Sequence, residues 1–439
     1  MRSPTLSVTR SSSSWPLPHT VAGYGDEEAF RRSRKEAGQW VFWRDRVDLV
    51  LAGRYDEVKP LHVEVSPTYL CNFACPWCSC RSAREEWSET DVFNHPRATP
   101  LTVMREAKLD HVLEHLAEHQ VGIMWVGGEP TMNPALYPAA LRAHALGLQQ
   151  CVFTNGSLLN ADRIGTLFDA NFVFVRVSLN AVTEEVHQRH HDYDPRLPYT
   201  ARVLDNLEQL AEERAKQRSD TQVGVSIVVD ERNLEDLAAT AEHLVRLVER
   251  HGRDSLDYAI FRPAFPFYSA ELDMRPETVD RFLDAVGAGS PWHRRMTDAG
   301  IDVVIPDDSV PDGTVLVEDV PFADDLGCLS AGWFGEVTPN GDHVLCSDRY
   351  GNPDYFIGNV AANGIDDLWS GDRRQTVLDL ARTSNCYGTY CPRNGRGFHL
   401  NRVFRQIESL RRQGRLDEVR AWIEDLRTVL PEPKHSFFL

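Results

Sequence analysis

From residue 61 onward the chain alternates short apolar segments with longer segments of helical periodicity, six times in succession. The short segments, 62–66, 121–126, 150–154, 172–178, 223–229 and 256–261, are rich in Val, Ile and Phe and read as buried strands. Between them, 102–119, 135–145, 162–170, 201–218 and 234–250 carry apolar residues at helical spacing. Strict alternation of this kind leaves few solutions: a parallel sheet with right-handed crossovers and helices laid over it. The expected fold class is α/β, a partial (βα)6 barrel of the TIM type. In such a sheet the loops at the C-terminal ends of the strands carry the chemistry.

The rest of the chain divides around that repeat. Residues 1–60 read as a Ser-rich disordered tail and a helical cap, in which Trp40, Trp43, Val47, Val50 and Leu51 recur at helical spacing and face the domain that follows. The barrel is expected over 61–263. A Pro- and Asp-rich connector follows over 264–327, with one helix near 276–288. A second cysteine-bearing domain occupies 328–399. Residues 400–439 hold two charged amphipathic helices, marked by Val403, Ile407 and Leu410, then by Val419, Trp422, Ile423 and Leu426.

A formal net charge of −18 excludes a basic nucleic-acid footprint and makes an anionic membrane surface an equally poor partner. No window approaches the ~20 apolar residues that cross a bilayer, and the N-terminus lacks the apolar block of a secretory signal. A cytoplasmic location is expected. In that reducing setting nine cysteines point to metal binding or redox chemistry rather than to disulfides.

Three of those cysteines follow the first strand: Cys71, Cys75 and Cys78, in the run Cys71-Asn72-Phe73-Ala74-Cys75-Pro76-Trp77-Cys78. One loop can gather such thiolates on a soft metal centre. A zinc knuckle would take Cys80 as its fourth ligand, at an unusual spacing. Inert buried thiols are a second reading. A [4Fe–4S] cluster held by three cysteines, with one iron left open for a ligand that is not protein, is the third.

The spacing CxxxCxxC, placed after the first strand of a six-unit α/β chain, resembles the radical S-adenosylmethionine (radical SAM) enzymes. The second strand runs into Gly127-Gly128-Glu129-Pro130, which resembles the segment that holds the methionine amine of SAM. Glycines admit a close approach of backbone, and a carboxylate suits an ammonium group. Asn155 ends the third strand, and Ser178 and Asn180 end the fourth; the resemblance implies contacts with the SAM ribose and the substrate. Asn155-Gly156 also reads as a plain turn. Trp77 matches the aromatic position that packs near adenine. Arg262, at the sixth strand end, is a candidate carboxylate or substrate contact, with a surface ion pair as the plain alternative.

A second set of cysteines is Cys328, Cys346, Cys386 and Cys391. Pro339-Asn340-Gly341 marks a hairpin turn between the first two, and Ile357-Gly358-Asn359-Val360 and Leu368-Trp369-Ser370 follow. This order resembles the SPASM/Twitch extension of radical SAM enzymes, a small β-hairpin and helix domain that binds iron–sulfur clusters. Four thiolates suit one auxiliary [4Fe–4S] cluster, or a zinc ion. Of the two cysteines left over, Cys151 reads as core and Cys80 as an inert thiol or a hydrogen-atom donor. Asp348, Arg349 and Tyr350, after Cys346, are further weak candidates for the substrate face. His187, His190 and His191 read as a polar surface loop, with acid/base work near the active face as the alternative.

The resemblance implies reductive cleavage of SAM to a 5′-deoxyadenosyl radical, with electrons from a flavodoxin- or ferredoxin-type donor. An auxiliary cluster can accept a second electron, so dehydrogenation is electronically sensible. The arrangement is similar to the aminocyclitol dehydrogenases of antibiotic pathways. About 60 residues precede the first strand, fewer than the roughly 80–90 of a peptide-recognition domain that folds alone. A small polar substrate, such as a sugar, aminocyclitol or nucleoside, is therefore expected. The alternatives are epimerisation or cross-linking of a ribosomal peptide and, remotely, a zinc-stabilised binding protein.

Overall fold

The computed structural model describes residues 39–78, 103–264, 276–305, 327–349, 352–383, 396–430 and 432–437. After helix α1 (Arg44–Leu51), the expected alternation follows: β1 (His62–Val65), α2 (Glu106–Glu118), β2 (Gly122–Trp125), α3 (Leu136–Ala145), β3 (Gln150–Thr154), α4 (Ala161–Asp169) and β4 (Phe174–Ser178). The β4-to-β5 crossover holds two helices, α5 (Glu184–His191) and α6 (Tyr199–Gln217), before β5 (Gln222–Val229). Then come α7 (Leu237–His251), β6 (Tyr258–Pro263), α8 (Pro276–Val286), α9 (Pro291–Ala299) and β7 (Asp302–Val304).

Strands β1 to β7 pair in order, all parallel. The sheet thus gains a seventh parallel strand from the region read as a connector. Ser290 caps α9 by accepting from the His293 N–H, Pro291 occupies the first turn, and Gly300 ends it at φ +100°. These are the usual start and stop devices of a helix.

The C-terminal domain is joined to this sheet. Strand β8 (Glu336–Val337) lies parallel to β1, with Glu64 opposite Glu336 and Val65 opposite Val337. Strands β9 (Asp342–Val344) and β10 (Phe356–Asn359) continue antiparallel, giving the order β10-β9-β8-β1-β2-β3-β4-β5-β6-β7. The β8–β9 turn runs through Pro339, Asn340 and Gly341, whose φ is +90°, as the sequence predicts. Helices α10 (Ile365–Ser370), α11 (Asp372–Thr383), α12 (Arg396–Arg412) and α13 (Leu416–Val429) complete the chain. The buried His343 imidazole accepts from Trp369 Nε1 at 2.9 Å, tying the hairpin to α10.

Alternate strand residues divide between two cores. Ile123, Trp125, Val152, Val175, Val177, Val225 and Phe261 face the helices in the main core. On the other face Met124, Cys151, Phe174 and Phe437 close the floor of the lumen. Cys151 is core there, as expected, while Phe437 arrives from the far end of the chain. A third cluster joins Trp40, Val47, Val50 and Leu51 to Trp333, Val403, Phe404, Ile407, Val419 and Trp422. The N-terminal cap therefore packs on α12, α13 and the start of the C-terminal domain rather than on the barrel.

Candidate active site

Residues 66–70 lead from β1 to the cysteine loop and lie against the end of β2. The Gly128 N–H donates to the Thr68 carbonyl at 3.0 Å, and the Glu129 N–H to the Leu70 carbonyl at 2.8 Å. No side chain fits between them. A Cβ on Gly127, at φ +116°, would stand 2.4 Å from the Thr68 oxygen, and one on Gly128 would stand 2.3 Å from that of Leu70. The two glycines therefore serve an approach of chain to chain beneath the cysteine loop. The sequence suggested an approach to a ligand.

Glu129 is buried and its carboxylate points inward. Oε1 accepts from the Thr131 N–H at 3.0 Å, from the Thr131 hydroxyl and from the Thr154 hydroxyl at 2.7 Å; Oε2 accepts from the Asn155 N–H at 2.6 Å. Burial pushes its pKa up while these donors pull it down. Three donors crowd Oε1 and only one reaches Oε2; with about two acceptor positions on each carboxylate oxygen, capacity for an ammonium group remains on Oε2. Pro130 opens the short 3-10 turn that follows.

Asn155 ties β3 to the cysteine loop. Its Nδ2 donates to Asn72 Oδ1 at 2.9 Å and lies 3.9 Å from the Cys71 sulfur, and its Oδ1 accepts from the Ser157 N–H and hydroxyl. The Phe73 N–H is 3.4 Å from the Cys71 sulfur. Phe73 pins the loop down, stacked on Tyr193 with ring centroids 5.0 Å apart and 4.8 Å from the His191 ring. The Cys75 thiol is buried, and those of Cys71 and Cys78 are half-buried. Among the described residues no three His, Cys, Asp or Glu side chains converge on a single metal ion.

The three histidines expected on the surface are buried on α5 instead. The sequence misleads because α5 has one buried aliphatic residue, Val186, and otherwise buries imidazoles. His187 and His190 are pushed down to about 3 and about 4 by desolvation, and His191 well below its ordinary value. His190 Nδ1 accepts from Trp77 Nε1 at 3.2 Å, so the indole expected near adenine is held by its N–H, with part of its surface exposed. His191 Nδ1 lies 3.2 Å from the Cys75 sulfur. Asn180, at φ +57°, is fully buried, and its side chain bridges the Val228 N–H and His191. It braces the loop from within.

Ser178 is half-buried at the end of β4, opposite Ser226 of β5. Two residues earlier, Arg176 projects into the lumen, a residue the sequence reading missed. Its guanidinium lies over the rings of Phe153, Phe174 and Tyr258 at 4.7, 5.1 and 5.2 Å and donates to the Tyr258 hydroxyl at 3.2 Å; Nη2 is buried without a hydrogen-bond partner among the described residues. The alternation Phe174-Arg176-Ser178 was the available signal. Arg262 is exposed at the end of β6.

In the C-terminal domain the Cys328 and Cys346 thiols are half-buried. The Cys328 N–H donates to the Ala381 carbonyl at 3.3 Å, near the end of α11. Ser330 Oγ donates to the Gly397 carbonyl, and the Leu329 N–H to Asn401 Oδ1, at the start of α12. Both flanks of the segment bearing Cys386 and Cys391 are thus anchored beside Cys328. Cys80, Tyr350, Cys386 and Cys391 lie outside the described residues. Asp348 falls in the short 3-10 turn Ser347–Arg349.

Residues 65–244 match the profile of the radical SAM superfamily, and residues 328–392 that of the SPASM iron–sulfur cluster-binding domain. The chain carries a radical SAM domain and a C-terminal SPASM domain. It binds a [4Fe–4S] cluster and SAM in the first and auxiliary iron–sulfur clusters in the second. It is similar to the PqqA peptide cyclase of Bradyrhizobium diazoefficiens, 30% identical over 146 residues, which is 30% of this chain and 32% of that protein. It is also similar to the mycofactocin maturase MftC of Mycobacterium ulcerans, 26% identical over 181 residues, 40% of this chain and 42% of that one. Both alignments span less than half of the relative. The structure of Streptococcus suis SuiB bound to precursor peptide SuiA shares the fold at a TM-score of 0.54 and 14% identity, covering 77% of this chain and 71% of that one. No helix among the described residues is long and apolar enough to cross a membrane.

Proposed function

We propose that this chain is a radical SAM enzyme that modifies a peptide, by cross-linking or epimerisation. The observation that carries this is the 30% identity to a peptide cyclase over 146 residues, seconded by the maturase. The expectation of a sugar, aminocyclitol or nucleoside rested on the length of chain before β1, which says less about the substrate than the relatives do.

Cys71, Cys75 and Cys78 are the proposed ligands of the SAM-binding cluster. Thiols that receive N–H groups from Phe73 and Asn155, with His191 Nδ1 3.2 Å from Cys75, fit a site for metal-bound thiolate, which such donors favour. The chemistry supplied there when the cluster is bound is one-electron reduction of the SAM sulfonium. The chain's own part is to bind, orient and exclude water. Glu129 Oε2 takes the methionine ammonium, Asn155 and Ser178 line the ribose side, and Trp77 offers its exposed surface to the adenine. Cys328, Cys346, Cys386 and Cys391 hold one auxiliary [4Fe–4S] cluster, and a flavodoxin- or ferredoxin-type protein supplies the electrons.

The deciding experiment is an anaerobic assay of the reconstituted enzyme with SAM and deuterated substrates. Candidate precursor peptides are expected to pass deuterium into 5′-deoxyadenosine. Transfer from small polyols or aminocyclitols, with none from peptides, would overturn the peptide reading. Absence of iron after reconstitution would overturn the cluster assignment itself.

A further inference from the structure

His191 faces Cys75 with an N–H and not with a lone pair, because its tautomer is set from outside. The Val228 N–H donates to Asn180 Oδ1 at 2.7 Å. A backbone N–H can only donate, so the Asn180 amide is oriented with its oxygen toward β5 and its Nδ2 toward His191, at 3.2 Å from Nε2. That Nε2 must accept. A neutral imidazole accepting at Nε2 carries its proton on Nδ1, which lies 3.2 Å from the Cys75 sulfur.

The relay is rigidly framed. Asn233 Nδ2 donates to the Asn180 and Val228 carbonyls, both at 2.8 Å, while its own Oδ1 accepts from the Asp230 N–H. The left-handed backbone of Asn180 is one that asparagine tolerates well. From the other side the Ala74 N–H donates to the His191 carbonyl at 3.0 Å, so the residue beside Cys75 is fastened to the histidine's own backbone. His191, Asn180 and Asn233 are all fully buried, out of competition with water. The groups facing His191 are the His187 and His190 rings, Phe73 and Trp77. None of these side chains carries a carboxylate, and the Leu179 carbonyl is a further acceptor near the ring.

We propose that His191 is a positioning residue for the SAM-binding cluster: its Nδ1–H, oriented from Val228 through Asn180, hydrogen-bonds the Cys75 sulfur and raises the cluster's reduction potential. This rests on Cys75 being a cluster ligand. Hydrogen bonds to the sulfurs are among the factors that set such potentials, because they stabilise the more negative, reduced state. The residue would tune how readily the cluster accepts its electron without touching SAM or substrate.

The test is a redox titration of the reconstituted enzyme, followed by electron paramagnetic resonance on the signal that SAM perturbs. In His191→Leu the reduced-to-oxidised ratio at fixed ambient potential should fall about tenfold, equivalent to about 59 mV for a one-electron couple. His191→Gln, which can return an N–H toward the sulfur, should recover most of the shift. An unchanged midpoint in His191→Leu at full iron content would overturn the proposal. Should that variant fail to assemble its cluster, hyperfine spectroscopy of the wild-type enzyme in H2O and D2O decides. With histidine labelled by nitrogen-15, an exchangeable proton accompanied by a histidine nitrogen coupled to the cluster supports the hydrogen bond, and absence of the histidine coupling refutes it. Failure of the cluster assignment is separately visible: Cys75→Ala would then keep the SAM-perturbed signal.

Discussion

Replacing Gly128 with alanine probes the contact on which the site is built. The new Cβ would stand 2.3 Å from the Leu70 carbonyl oxygen and 2.5 Å from that of Tyr69. Both are backbone, and neither can rotate away. Restoring ordinary contact at 3.4 Å takes about 1 Å of main-chain movement, more than a packed interior absorbs without cost. That movement breaks the bonds from Gly128 to Thr68 and from Glu129 to Leu70, each worth about 1 kcal/mol. The overpacking adds about 1–3 kcal/mol. A loss of about 3 kcal/mol, the low end, is close to a 150-fold change in an equilibrium. It falls on Leu70, next to Cys71, and on Glu129. Iron content after reconstitution and SAM affinity by equilibrium dialysis should both drop, the latter about 150-fold. Wild-type iron content with wild-type SAM affinity would refute the reasoning, since the close approach would then be dispensable.

Other substitutions separate the remaining roles. Alanine at Cys71, Cys75 or Cys78 should abolish 5′-deoxyadenosine formation, and persistence of that product in any of them would remove it from the ligand set. Cys328→Ala should still cleave SAM yet yield no modified product by mass spectrometry. Gly165, inside α4 with nothing within 4 Å of an added methyl, should tolerate alanine with a gain of about 0.5–1 kcal/mol in urea unfolding. His343 is held near 4 by burial, below its unfolded value of about 6.5. The unfolded chain therefore binds the extra proton, and stability should fall as pH drops through the window from about 6.5 to about 4, by up to about 1.4 kcal/mol per unit. In His343→Phe that share of the acid slope should vanish.

The alternating segments announced the barrel because each strand is a short Val- and Ile-rich run between amphipathic helices. Strand β7 escaped notice because it is three residues long, Asp302 to Val304, behind a Pro- and Asp-rich stretch. Helix α5 escaped because its buried face is mostly histidine, which hydropathy counts as surface. The cysteine triplet and Gly127-Gly128 were legible as local spacing. Their geometry was not: that the glycines meet residues 68–70 depends on β1 and β2 lying side by side, a contact spanning more than fifty residues. The relay onto Cys75 is further from view. His191 stands 116 positions from Cys75, and its tautomer depends on a backbone amide of β5. No local pattern encodes such an arrangement; only the folded sheet brings its members together.

The parallel pairing of β1 with β8 makes the two cysteine-bearing regions parts of one hydrogen-bonded lattice. Val65 of β1, which leads to Cys71, lies opposite Val337 of β8, which leads through the hairpin to Cys346. A tunnelling electron passing between metal groups held at those two loops would cross a gap set by strand register, not by a hinge or linker. Glu336 fastens that register by accepting from Ser66 Oγ at 2.6 Å and Tyr69 Oη at 2.7 Å. The rate of transfer would then respond to a shift of one strand past the other, and the buried Glu336 carboxylate acts as the stop that holds the gap constant.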